Sequence, residues 1–309
     1  MPLILPEGLP VRDLLKRENV GLVGQHGQCG GVGRVFEIAI VNLMPLKEVT
    51  ELQLLRLLGN TALTLKITLL HMESHISKNT GADHLSAFYN VFEEVRHRRF
   101  DGLIITGAPV ETLPFEEVNY WQELTEVMEW SLENAGSVLH ICWGAQAALY
   151  YHYGIPKYPL PGKMFGVFPH TRAADTSAAD TSAAANIILR GFDDTFLVPH
   201  SRHTEIIRED IDKVPDLIVL SESKESGLYM VASADGKSQI YVTGHSEYDP
   251  LTLKSEYDRD IARGDKIAVP TNYFPDNDTT KSPTVLWRSH AHLLFSNWLN
   301  YCVAGTNSQ

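Results

Sequence analysis

Ser137-Val138-Leu139-His140-Ile141-Cys142-Trp143-Gly144-Ala145-Gln146 is the stretch that decides the fold. The β-branched and apolar run from Val138 to Ile141 reads as a strand that stops abruptly at Cys142, and a helix-like stretch, Ala145 to Tyr153, follows at once. A thiol at such a junction stands at the top of a sheet and faces a helix N-terminus. Unpaired N–H groups there favour the thiolate, the nucleophilic form. A buried core cysteine is the ordinary alternative for a lone Cys.

Working outward, the same alternation recurs. Glu37 to Leu43 is a short apolar run typical of a buried parallel strand. Thr50 is placed to cap a helix over Glu51 to Leu58, with Gly59 just past its end. Leu63, Leu65, Ile67 and Leu69 alternate as a period-2 strand, and Gly102–Thr106 is a further apolar strand. Trp121, Leu124 and Met128 form the core stripe of a helix. A βαβαβ series of this kind predicts an α/β fold, a mostly parallel sheet flanked by helices. Leu217–Leu220, Leu228–Ala232 and Gln239–Val242 read as sequential strands, the last two joined by a turn at Asp235-Gly236. Thr252–Ala262 and Ala291–Tyr301 read as helices, the latter with Leu294 and Trp298 on one face.

Ligands of such sheets bind beyond the carboxyl ends of the strands, and two further strand ends carry suggestive chemistry. Val242-Thr243-Gly244-His245-Ser246-Glu247 places His245 and Glu247 two apart, on one side of an extended chain and roughly 6.5–7 Å between Cα atoms. Glu247 can therefore hold one imidazole nitrogen while the other faces a thiol, the arrangement of covalent acyl transfer. A His-x-Glu also arises by chance on solvated loops. Ile105-Thr106-Gly107-Ala108-Pro109 ends the third strand in a small-residue turn able to aim backbone N–H groups at an oxyanion, or simply to link strand and helix.

The 26 basic and 38 acidic residues give a net charge of −12, which argues against nucleic acid or an anionic membrane as partner. With no apolar run of membrane-spanning length and no secretory-type N-terminus, a soluble, cytoplasmic chain is expected. Cys29, Cys142 and Cys302 are odd in number, far apart and without metal-ligand spacing, so neither a disulfide framework nor a metal site is expected. The glycine-rich Gln25–Gly33 stretch precedes a strand instead of linking strand to helix, and so fails as a dinucleotide loop. Ala173-Ala174-Asp175-Thr176-Ser177 is repeated at once, and the low-complexity segment at about 173–185 reads as a surface loop.

Several ordered motifs bring the chain close to a known family. They include Asn42-Leu43-Met44-Pro45, Phe100–Pro109, Cys142-Trp143, Tyr153-Gly154-Ile155-Pro156-Lys157, Arg190-Gly191-Phe192-Asp193-Asp194 and Pro199-His200-Ser201-Arg202. Val242-Thr243-Gly244-His245, Asn272-Tyr273-Phe274-Pro275 and Ser296–Tyr301 continue the series. Together they resemble the homoserine O-acyltransferases of the MetA type. The resemblance implies a class I glutamine amidotransferase-like (flavodoxin-like) fold over one domain, residues 1–302, with a short tail at 303–309. It implies Cys142 as nucleophile, His245 as general base and Glu247 as its orienting partner, with substrate contacts at Lys163, in the loop beyond Lys157, and at Ser201 and Arg259. An arginine fork suits an amino-acid carboxylate. Glu111, second after Ala108-Pro109, goes in this family with acetyl transfer and glycine with succinyl transfer. The physics agrees: a second carboxylate roughly 4 Å from Glu111, at an effective dielectric near 20, is repelled by about 4 kcal/mol.

The expected reaction is therefore acetyl transfer from acetyl-CoA, a co-substrate with no further cofactor, to L-homoserine, by a homodimer. Succinyl-CoA as donor, L-serine as acceptor, a glutamine amidotransferase-type hydrolase and a non-catalytic relative are the alternatives. Ser246 stands where the family usually has proline, a change that would loosen the loop carrying Glu247.

Overall fold

The computed structural model describes residues 2–23, 33–75, 77, 79–173 and 187–305. Among the described residues twelve strands form one sheet: β1 (Leu3–Ile4), β2 (Leu22–Val23), β3 (Val35–Val41), β4 (Thr64–Leu70), β5 (Tyr89–Asn90), β6 (Gly102–Ile105), β7 (Val138–Ile141), β8 (Tyr158–Arg172), β9 (Thr195–Glu205), β10 (Leu217–Ser223), β11 (Gly227–Ser233) and β12 (Gln239–Val242). Their order is β2-β1-β4-β3-β6-β7-β12-β11-β10-β8-β9, with β5 beside β4. From β2 to β12 the neighbours run parallel; from β12 to β9 they run antiparallel. The sheet is thus mixed, and the switch from one mode to the other falls on β12, the strand that leads to His245.

Two-sided burial explains the apolar runs of the parallel half. Successive side chains of a strand point to opposite faces. On β3, Ile38 and Ile40 pack with Leu54, Leu58, Trp298 and Leu299, whereas Ala39 and Val41 pack with Leu103, Leu124, Met128 and Trp143. Both faces are therefore covered, as a parallel sheet requires. Asp235-Gly236 turns the β11–β12 hairpin as expected. The Asp235 carboxylate accepts the Lys237 and Ser238 amides at 3.0 Å, and Gly236 sits at φ 68°.

The expected strands before Cys142 and the Thr252–Ala262 helix stand where the residues placed them, with four local corrections. The second helix spans Lys47–Leu58, so Thr50 lies inside it, its hydroxyl bonded back to the Leu46 carbonyl instead of capping. Gly59 does end that helix, but in a right-handed conformation, φ −73°. The C-terminal helix is α-helical over Arg288–Asn297 and widens to a π-turn over Trp298–Val303. Lys163 lies in strand β8, not in a loop. The long β8–β9 hairpin was hidden by Pro159, Pro161, Pro169 and Pro199, which argue against central strands. The chain accommodates them with a register shift between Pro159 and Met164 and by leaving β9 at the sheet edge. The alanine-rich repeat from Ala174 on, and Gln25–Gly33 apart from Gly33, lie outside the described residues.

Three histidines are sealed in this sheet. His140 on β7 meets Gln239 at 2.8 Å, and burial pushes its pKa down to about 3. His170 on β8 and His200 on β9 meet ring to ring, Nε2 to Nε2 at 3.2 Å. Burial lowers His170 to about 4 and His200 well below the usual range. The proton order is fixed by the neighbours. Arg202 Nε donates to His200 Nδ1 at 3.4 Å, His200 Nε2–H donates to His170, and His170 Nδ1–H donates to the Phe168 carbonyl at 2.9 Å. These rings are neutral in the fold and protonate once unfolded, so stability is complete above about pH 6.5 and is lost as pH falls toward 4. His170 alone contributes a loss of about 3 kcal/mol over that window. Urea midpoints should fall steeply between pH 6.5 and 4.5; a midpoint that stays level across that range would contradict the buried, neutral assignment.

Candidate active site

Cys142 ends β7 and begins the Trp143–Tyr153 helix with φ 51° and ψ −114°, a conformation a side-chain-bearing residue adopts only under constraint. Its N–H donates to the Val242 carbonyl of β12 at 2.7 Å, and its own carbonyl accepts the Ala145 and Gln146 amides. The helix can start this close to the sheet because residue 144 is glycine. A Cβ there would lie 2.6 Å from the Thr106 carbonyl oxygen and 2.9 Å from that of Ile105. The thiol is a buried group at the carboxyl edge of the sheet.

The other two strand ends converge on it. A Cβ on Gly107 would stand 3.2 Å from Cys142 Cβ and 3.5 Å from His245 Cε1, so the β6 turn touches both residues. His245 is fixed from behind by its N–H on the Pro199 carbonyl at 2.8 Å, and its Nδ1 meets Glu247 Oε1 at 2.6 Å. Burial pulls the His245 pKa down. The negative charges at Cys142 and Glu247, each with a hydrogen bond, outweigh it and hold the imidazole well above its usual range. Both neighbours of the imidazole thus favour its protonated form.

Lys163, Ser201 and Arg259 converge on one face of the Thr252–Ala262 helix, where Glu256 and Asp260 are one turn apart. Lys163 Nζ lies 3.2 Å from Glu256 and 2.9 Å from Asp260; Ser201 donates its hydroxyl to Glu256; Arg259 is paired with Asp260 at 2.7 Å. Lys163 is only 10% exposed, far from a solvated charge, whereas the Arg259 side chain is 49% exposed. Tyr248 links this cluster to the triad. Its ring stacks on His245 at 4.2 Å between centroids, and its hydroxyl donates to Glu256 at 2.8 Å.

Comparison with known proteins places the chain in a family. A family model described as homoserine O-succinyltransferase matches residues 2–309. The chain belongs to that family. Relatives named homoserine O-acetyltransferase are 57% identical in Brevibacillus brevis and 58% identical in Clostridium novyi, each over 98% of this chain and 96% or 97% of the relative. One from Acetivibrio thermocellus is 55% identical over 98% of this chain and 96% of its own length. A glutamine amidotransferase from Thermotoga maritima superimposes with a TM-score of 0.56 at 12% identity, covering 87% of this chain and 98% of that one; the likeness is one of fold.

In this member of the homoserine O-succinyltransferase family, Ser246 has a hydrogen-bond partner of its own. It is buried and its hydroxyl meets that of Tyr229 at 2.7 Å, which ties the loop to β11. Glu111 accepts the His203 amide of β9 at 3.1 Å, two residues from Ser201, and its charge bears on Lys157 and Arg202. Three contributors had no sequence signal of their own. Glu256 and Tyr248 look like an ordinary helix carboxylate and a loop aromatic, and Arg202 like the tail of a motif. Arg202 is buried, held by the carbonyls of Thr204, at 2.8 Å, and Ser226. Burial lowers its pKa, opposed by the negative charges at Cys142, Glu205 and Glu111.

Because Glu247 helps to hold the His245 proton, Glu247→Ala should move the imidazole titration midpoint down by about one pH unit or more. Histidine NMR signals followed across pH read this directly; an unchanged midpoint would remove Glu247 from the triad.

Proposed function

We propose that this chain transfers an acetyl group from acetyl-CoA to the hydroxyl of L-homoserine, through a thioester on Cys142, as a cytoplasmic step toward methionine. The observation that carries the reading is the junction of two clusters: a Cys142–His245–Glu247 centre, and within one side chain of it a mixed-charge site of Lys163, Ser201, Glu256, Asp260 and Arg259. Supporting it, relatives at 55–58% identity carry the name homoserine O-acetyltransferase.

In the first half-reaction the Cys142 thiolate attacks the acetyl carbonyl of acetyl-CoA. The developing oxyanion is met by backbone N–H groups of the Gly107-Ala108 turn and of Trp143 at the helix N-terminus. The C–S bond to CoA breaks, and the CoA sulfur takes the proton that His245 held. In the second half, His245 removes the proton from the homoserine hydroxyl, whose oxygen attacks the thioester, and Cys142 leaves again as thiolate. Glu247 holds Nδ1, so that Nε2 faces the reaction in both halves. Homoserine is a zwitterion. Its carboxylate suits the Arg259 fork and Lys163, and its ammonium suits Glu256 and Asp260.

Donor choice falls to Glu111. Its carboxylate, facing β9 beyond the Gly107 turn, repels the second carboxylate of a succinyl group and leaves room for a methyl. Steady-state kcat/KM with acetyl-CoA or succinyl-CoA, against homoserine or serine, tests the whole reading. Acetyl-CoA with homoserine should be the best pair, and Glu111→Gly should raise succinyl-CoA use by about two decades while lowering acetyl-CoA use. A wild-type preference for succinyl-CoA or for serine would overturn the substrate assignment. An unchanged donor ratio in Glu111→Gly would place selectivity elsewhere.

A further inference from the structure

We propose that Tyr248 is a positioning residue with two separable duties, its ring holding the plane of the general base and its hydroxyl holding the acceptor-site carboxylate. The proposal rests on the reading that an acetyl group enters on Cys142 and leaves on homoserine. Tyr248 is buried, and its ring lies against the His245 imidazole at 4.2 Å with only 19° between the planes. Such a stack blocks rotation of the imidazole about its bond to the chain, leaving Glu247 to fix rotation within the ring plane. The far end of the same ring reaches the acceptor cluster, where the hydroxyl donates to Glu256 Oε1 at 2.8 Å. The other oxygen of Glu256 accepts from Ser201 and Lys163.

The ring is itself immobilised. The Tyr248 N–H donates to the His245 carbonyl at 3.2 Å, and its carbonyl accepts the Trp287 indole N–H at 3.0 Å. Around it pack Phe165, Val167, Leu253, Tyr273 and Trp287. Burial, reinforced by the negative charge of Glu256, keeps the phenol protonated, so the hydroxyl remains a donor to that carboxylate across the working pH range. Packing alone needs only a ring. A buried hydroxyl aimed at a carboxylate of the substrate cluster is the excess that a core role leaves unexplained.

The two duties fall on different half-reactions. The imidazole acts in both, whereas Glu256 acts only when homoserine binds. Tyr248→Phe keeps the stack and deletes the hydroxyl. The CoA burst after mixing with acetyl-CoA alone should therefore stay at the wild-type rate, while KM for homoserine should rise about fivefold or more, the loss of one charge-assisted hydrogen bond. Tyr248→Leu deletes both, so the burst itself should slow about tenfold or more and its pH profile should shift, because the base is free to turn. Stopped-flow detection of released CoA and steady-state titration of homoserine read the two separately. A Tyr248→Phe enzyme that loses the burst as heavily as the transfer step, or keeps its wild-type KM, would overturn the proposal. So would a Tyr248→Leu enzyme with an unaltered burst. If Tyr248→Leu does not fold, the Tyr248→Phe result decides alone. Absence of a CoA burst in the wild type would instead strike the thioester reading on which the proposal stands.

Discussion

The left-handed backbone at Cys142 is the constraint on which the rest of the site depends. Holding a side-chain-bearing residue at φ 51° costs of order 1–3 kcal/mol, and the conformation survives only because its surroundings over-determine it. The Cys142 N–H is tied to β12, its carbonyl to the first turn of the following helix, and Gly144 lets that helix press against the Ile105 and Thr106 carbonyls. Relieving the strain would mean pulling β7 from β12 or lifting the helix off β6. In return, the thiol stands clear of the strand, next to a helix N-terminus and against the glycine of a neighbouring strand end. No free loop could hold a nucleophile between two elements at this precision.

Around that point the sheet sorts charge. The Glu247 carboxylate bonds the His245 imidazole, and the negative charges at Glu247 and Cys142 favour the protonated ring. One ring away, two carboxylates and two cations on β8 and the Thr252–Ala262 helix make an almost neutral patch suited to a zwitterion. Behind both, Arg202 and the neutral His200–His170 pair fill the interior of the β8–β9 hairpin with satisfied polar groups. The antiparallel half of the sheet thus carries Lys163 and Ser201, and the parallel half Cys142. They join at β12, where strand direction changes.

What was legible in the residues follows from the range of the physics involved. Strands that end in functional turns announce themselves through short apolar runs, so Gly107, Cys142 and His245 could be gathered at one sheet edge before any coordinates. His245 does meet Glu247, but across a turn closed by the Tyr248 N–H on the His245 carbonyl, not along the extended chain that their spacing suggests. Contacts that span the chain were not legible: Lys163 meets Asp260 across 97 residues, and Ser201 meets Glu256 across 55. Prolines disguised the β8–β9 hairpin, so Lys163 read as a loop residue. The partner of Ser246, the Tyr229 hydroxyl on β11, is likewise invisible from local sequence. Resemblance to a family supplied Lys163, Ser201, Arg259 and Glu111; neither it nor the spacing supplied Tyr248 or Glu256, whose roles exist only in three dimensions.

The claim at the centre is that the strained cysteine carries the acetyl group between donor and acceptor. Intact-mass measurement of the protein mixed with acetyl-CoA and no acceptor, with the modified peptide then mapped, tests it most directly. The expected result is a single added acetyl mass on Cys142, absent in Cys142→Ser and discharged on adding homoserine. An unmodified protein that nonetheless turns over homoserine, or an acetyl group on any other residue that homoserine discharges, would contradict it.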